Sequence, residues 1–116
     1  MFNNNSNIYI SKKFTQYTKN LNVNLKKMFP KFSNTEFVLT QITKLNEETG
    51  ELSSEILARV GYQRAEKLAK HSQQTLEDEF ADVLITSLLL AQACEIDINQ
   101  ALENKITKLE KRYTKE

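Results

Sequence analysis

The sequence predicts an all-α protein. Three observations point there. Glycine and proline are scarce, two and one in 116 residues, too few for the many tight turns of an all-β fold. Apolar residues recur at intervals of three and four through most of the chain, which lines one face of a helix. Two stretches also have the form of a capping box, a hydroxyl residue with an acidic residue three positions on.

The length fits one domain over residues 1–116 with a core that needs no disulfide. The Asn-rich patch at 3–7 is expected to fray. The formal net charge is +1, so charge alone draws the chain to neither a nucleic-acid polymer nor an anionic membrane. The single cysteine, Cys94, lies in an apolar run and reads as a small buried hydrophobe. The first residues hold no continuous apolar stretch, so no signal peptide is expected. The longest apolar run, 83–93, is interrupted by Thr86, Ser87 and Gln92 and is too short to span a bilayer. A reducing, cytoplasmic compartment is the expectation.

The first helix is expected over 8–28. Ile10, Phe14, Tyr17, Leu21, Leu25 and Met28 carry its period, and Pro30 stops it. Ser33 and Glu36 then cap a long helix to about Val60, with Val38, Ile42, Leu45, Thr49, Leu52 and Ile56 as its inner stripe and Gly61 as its stop. Gly50 is unusual inside it, since mid-helix glycine costs about 1 kcal/mol relative to alanine. Either another group approaches there or the cost is tolerated. Residues 62–74 are polar and hold the only histidine, His71. They read as a loop, or a short helix with a loop, that either connects or covers a pocket. Thr75 and Asp78 suggest a cap for the next helix, which runs to about Cys94. Its inner stripe is Leu76, Phe80, Val83, Ser87 and Ala91, widened by Leu84, Leu88 and Leu90. Asp97 caps a last helix to about Tyr113, with Ile98, Ala101, Leu102, Lys105, Ile106, Leu109 and Tyr113 inside. Four helices result, or five if 62–74 contains one.

The chemistry concentrates in two segments, KLNEETGEL at 44–52 and EDEFADVL at 77–84. Glu48 with Glu51, and Glu79 with Asp82, are acidic pairs three residues apart, so each pair shares a helix face. At about 100° per residue, Glu48, Glu51 and Glu55 fall on one flank of the Leu45–Leu52 stripe. Glu79 and Asp82 likewise flank Phe80. Two such helices side by side would offer four hard oxygen ligands, a set suited to Mg2+ or Mn2+. No histidine or cysteine cluster favours zinc, no Glu-x-x-His pair favours a di-iron centre, and no Gly-rich loop cradles phosphate. What remains is Mg2+-assisted hydrolysis of a phosphate ester or anhydride. Lys105, Lys108 and Arg112 share a face of the last helix, as either a solvated basic face or a phosphate contact.

These two acidic segments, in this order and separation, resemble the MazG-like superfamily of all-α nucleoside triphosphate pyrophosphohydrolases. Its signature is E-E-x-x-E on one helix and E-x-x-D on the next. Glu47, Glu48 and Glu51 match the first part, Glu79 and Asp82 the second. The closing ALENKITKLEKRY at 101–113 is similar to the family's last helix, and the resemblance covers 37–113. It implies a four- or five-helix bundle whose site is often completed by helices of other subunits, hence a homodimer or homotetramer. It implies cleavage between the α and β phosphates of a nucleotide to a monophosphate and pyrophosphate. In the same terms, Glu48, Glu51, Glu79 and Asp82 hold Mg2+, with Mn2+ as a possible substitute. Glu47 supports them, and Lys44, Lys105, Lys108 and Arg112 are the candidate substrate contacts. The competing reading is a helical interaction or regulatory module that has the fold without the catalysis.

Overall fold

The computed structural model describes residues 8–114, so the 3–7 patch lies outside the described residues. Among those described there are five α-helices and no strand. The all-α expectation therefore holds, and each boundary has a local cause.

Helix α1 (Lys12–Met28) starts later than its period suggests, because the Ser11 side chain accepts from the Phe14 N–H at 3.1 Å and sets the first turn. The residues ahead of it fasten to the last helix instead. The Tyr9 N–H donates to Asn99 Oδ1 at 2.6 Å, and the Tyr9 hydroxyl pairs with the Glu103 carboxylate. Helix α2 (Asn34–Arg59) has the expected capping box: Ser33 Oγ accepts from the Glu36 N–H at 3.1 Å, and Glu36 accepts from the Ser33 N–H at 3.0 Å. It ends in a Schellman motif. Gly61 takes φ +85°, and the Tyr62 N–H reaches back to the Leu57 carbonyl at 2.8 Å.

Residues 62–74 hold a six-residue helix, α3 (Ala65–Lys70). Helix α4 (Gln73–Ala93) begins earlier than Thr75. Its box is Ser72 with Thr75, not Thr75 with Asp78, since a threonine hydroxyl at the third position returns the bond as a carboxylate would. Its end repeats the Schellman pattern, but with Glu95 at φ +59° where α2 has glycine. Asp97 then caps α5 (Ile98–Tyr113), accepting from the Gln100 N–H at 3.1 Å.

Helices α2 and α4 pack as an antiparallel pair. Each step along α2 is matched by an equal step back along α4: Glu55 meets Thr75, Glu51 meets Glu79, and Glu48 faces Asp82. Helix α1 closes the end where α2 begins and α4 ends. There the Asn22 amide donates to the Leu89 carbonyl at 3.1 Å and accepts from Gln41 Nε2 at 3.4 Å. Fully buried Thr18 accepts from Gln92 Nε2 at 2.8 Å. Polar side chains thus form much of the interior; Thr18, Asn22 and Gln41 are partnered there, whereas Gln92 is bonded through Nε2 and its Oε1 has no partner.

The inner faces are rotated from the apolar stripes. Phe37, Gln41, Glu48 and Ala58 are buried on α2, whereas Ile42, Thr49 and Ile56 are exposed. On α4, Leu76, Thr86, Leu88 and Leu89 are buried, whereas Phe80 and Leu84 are exposed. The cause is the polar seam: turning Gln41 and Glu48 toward α4 turns Ile42 and Ile56 away. Cys94, expected inside, is exposed at the α4 terminus, where the chain leaves the helix. Tyr113 is exposed as well.

Candidate metal centre

The acidic site lies at the middle of the α2–α4 seam. Glu48 and Glu51 come from one face of α2, and Glu79 faces them from α4. One carboxylate oxygen from each of these three lies within 4.8 Å of the others. Asp82, a turn beyond Glu79, stands at the exposed edge beside Glu48. Among the described residues this is the cluster of acidic or soft ligands able to hold a cation.

The electrostatics fit a missing positive charge. The Glu48 side chain is nine-tenths buried, and its Oε2 has no hydrogen-bond partner; nor has Glu79 Oε2. A buried carboxylate oxygen without a partner is costly. Burial first, then the charge of Glu51 and a hydrogen bond to it, push the Glu79 carboxyl up to about 7; Asp82 and Glu48 add to the rise. Asp82 is raised by desolvation, then by Glu48 and Asp78, with Lys44 opposing. In the metal-free protein a proton held between Glu79 and Glu51 relieves part of this repulsion. The unpartnered oxygens and the all-carboxylate donor set suit a hard divalent cation.

Among the described residues, Lys44 is the cation paired with this acidic face. Its Nζ is 3.3 Å from Glu48 Oε1 and 3.3 Å from Glu47 Oε2. Its pKa is raised, chiefly by the bond to Glu48 and then by that to Glu47. Glu47 itself is mostly exposed and stands outside the three-carboxylate cluster. Lys105, Lys108 and Arg112 are exposed on α5, which leaves from the opposite end of α4, and the Arg112 guanidinium lies 5.9 Å from the Tyr113 ring centre. Within one chain these three are not brought to the acids by any described ion pair.

A groove of about 720 Å³ lies elsewhere. Thr15, Lys19, Asn22 and Val23 of α1 line it with Gln92 and Ile96, and none of the four acids does. Its charged lining mixes Lys19 and Lys26 with Glu95 and Asp97, whereas three carboxylates converge at the seam, which makes the seam the candidate cation site. Gly50 sits beside the seam with open space around it: a methyl group there would meet nothing within 4 Å. Its cost is tolerated and serves no close packing within the chain.

Sequence reasoning missed a second cluster, one turn further along the seam. His71 Nδ1 lies 2.6 Å from Glu55 Oε2, and Arg59 Nε donates to His71 Nε2 at 3.2 Å. The only available signal was Glu55's place on the flank of Glu48 and Glu51. Nothing local tied it to a histidine 16 residues away.

No curated protein and no solved structure matches this chain. Residues 42–116 match the MazG-like family, a span that contains both acidic pairs, the seam they form and the whole of α5. With an all-helical fold around that seam, the chain belongs to the MazG-like family.

Proposed function

We propose that this protein is a Mg2+-dependent nucleotide pyrophosphohydrolase with a house-cleaning role. It cleaves the α–β phosphoanhydride of a (deoxy)nucleoside triphosphate or related nucleotide, giving a monophosphate and pyrophosphate. The observation that carries this reading is the meeting of Glu48, Glu51 and Glu79 with two unpartnered buried oxygens, in a chain of this family.

Glu48, Glu51, Glu79 and Asp82 would hold Mg2+, which when bound supplies charge neutralisation for the phosphates and a more acidic water. Glu79 would serve as a ligand in its ionised form, and Lys44, 3.3 Å from Glu48 Oε1, would keep Glu48 oriented from the side. Glu47 anchors Lys44 and is the reserve carboxylate. Lys105, Lys108 and Arg112 bind the polyphosphate. The seam is open on one side, so a homodimer or homotetramer supplies the missing wall. Exposed Leu39, Ile42, Ile56, Phe80 and Leu84 on α2 and α4 are the surfaces it would cover.

A panel of nucleoside triphosphates incubated with Mg2+ tests the activity, with separate readouts for pyrophosphate and orthophosphate. Pyrophosphate with the matching monophosphate is the expected pair. Orthophosphate and diphosphate from a preparation free of pyrophosphatase would reject the cleavage position. Turnover of no nucleotide would leave the non-catalytic module as the better reading.

A further inference from the structure

Five side chains from three elements meet one turn below the acidic cluster. Glu55 and Arg59 come from α2, His71 from the end of α3, and Gln73 and Thr75 from the start of α4. Glu55 Oε2 accepts from His71 Nδ1 at 2.6 Å and from the Thr75 hydroxyl at 2.9 Å. Arg59 Nε donates to His71 Nε2 at 3.2 Å, and the Arg59 guanidinium also pairs with Gln73. The His71 and Glu55 side chains are 14% and 22% exposed. Because Arg59 is a donor only, Nε2 must accept, and the imidazole proton must sit on Nδ1. The geometry therefore describes a neutral Nδ1–H histidine bridging a carboxylate and a guanidinium.

We infer that Glu55, His71 and Arg59 form a positioning latch that holds α2 and α4 in the register at which Glu48, Glu51 and Glu79 converge. The inference rests on the metal-binding reading above. Glu55 follows Glu51 by one helical turn, and Thr75 precedes Glu79 by one. The latch is thus the next rung of the seam that carries the acids. Slipping the helices by a turn would set Glu55 against Glu79, a like-charge pair, and scatter the cluster. The latch also keeps Glu55 out of the ligand set. Lying within a turn of Glu51, it would otherwise be a fifth carboxylate at the cation. His71 and Thr75 claim its Oε2 instead. At the same time they fasten the far end of the 60–72 connection, so α3 is tied down beside the site.

His71 is the only histidine, so its ring nitrogens give unambiguous signals in a nitrogen-15 NMR spectrum. The wild-type spectrum should show the Nδ1–H tautomer. Calorimetric titration with Mg2+, repeated with Mn2+, then compares wild type with His71→Ala, Glu55→Gln and His71→Asn. His71→Ala and Glu55→Gln should weaken cation binding about five- to tenfold, the range of a modest coupling. His71→Asn should recover most of the loss, because its side-chain amide N–H can stand in for Nδ1–H. Arg59→Met, at an exposed position, should give a smaller loss and a mixture of tautomers. A latch that serves folding alone would lower the melting temperature of every variant while leaving cation affinity at the wild-type value, and that result would overturn the inference. Tighter Mg2+ binding by His71→Ala would show that the contact only withholds Glu55 from the cation and does not set the register, and would overturn the inference too. If wild type itself binds neither Mg2+ nor Mn2+, the metal reading falls and takes the latch's role with it, an outcome distinct from equal affinities across the set.

Discussion

Glu79 carries the clearest pH signature in the molecule. Its carboxyl titrates near 7 in the folded chain and at an ordinary carboxylate value when unfolded. The folded state therefore holds the extra proton between about pH 4.5 and 7. Stability of the metal-free protein falls as pH rises through that window and levels off above it. Glu55 has the opposite sign. His71 and then Thr75 hold its pKa low against the desolvation that raises it, so its contribution is lost only as pH falls below the carboxylate range. Thermal melts of metal-free protein across this range should therefore decline from pH 5 to 7. Glu79→Gln should flatten the decline. Adding Mg2+ should reverse it, since the cation needs Glu79 ionised. Glu51→Gln separates a metal site from a surface strip. Activity should drop by orders of magnitude and the Mg2+-induced rise in melting temperature should shrink. The metal-free protein should be as stable as wild type or more so, because one like charge has gone.

Two backbone positions give a test that is independent of function. Glu95 occupies a left-handed position that costs a side-chain-bearing residue about 1 kcal/mol. The same motif at the end of α2 uses Gly61. Glu95→Gly should raise stability by about 1 kcal/mol in denaturant unfolding. Gly50→Ala should gain a similar amount, about 1 kcal/mol, since the new methyl group meets nothing and helix propensity improves.

At the scale of the element, the antiparallel α2–α4 pair carries the acidic cluster, and its seam is polar from Gln41 through Glu48 and Glu51 to Glu55. Polar seams fix register more strictly than apolar ones, because a displaced polar group loses its partner. The seam also explains why apolar periodicity gave the wrong inner face for Ile42, Ile56 and Phe80. The period identified helices, but turning Gln41 and Glu48 inward decided their rotation. Helix α5 stands apart from this unit, and its cations are exposed. Replacing Lys105, Lys108 and Arg112 singly with Gln should raise KM for the active nucleotide and leave Tm near the wild-type value. Exposed charges contribute at most about 1 kcal/mol to folding, whereas a charge-assisted phosphate contact is stronger. Three variants with wild-type KM would identify the face as solvated surface.

At the scale of the whole molecule, the chain is broad and flat, with extents of 59 × 53 × 23 Å and a radius of gyration of 17.8 Å. A compact chain of this length would have about 13 Å. Phe80 and Leu84, 48% and 62% exposed, lie on the most apolar helix. Such a shape leaves apolar faces that a second copy would cover. Sedimentation at tens of micromolar should show a dimer or tetramer, and a monomer there would oppose the proposed assembly. Leu84→Lys should dissociate it and lower the activity together. No described helix is long and apolar enough to cross a membrane.

The sequence by itself determined that this chain is helical, where α2 and α5 begin, where α2 stops, and which carboxylates come in pairs. These are local properties: caps, a period and a spacing of three act within a turn or two of the chain. It also carried the family resemblance, because each acidic motif is a short continuous stretch of sequence. Only the tertiary structure decided which way the helices turn. It set Glu48, Glu51 and Glu79 within reach of one another and left Asp82 at the edge. It paired Lys44 with Glu48, exposed Cys94, and joined Glu55 to His71 and Thr75. Those outcomes depend on groups many residues apart competing for the same partners. Burial and charge settle that competition only when the helices meet.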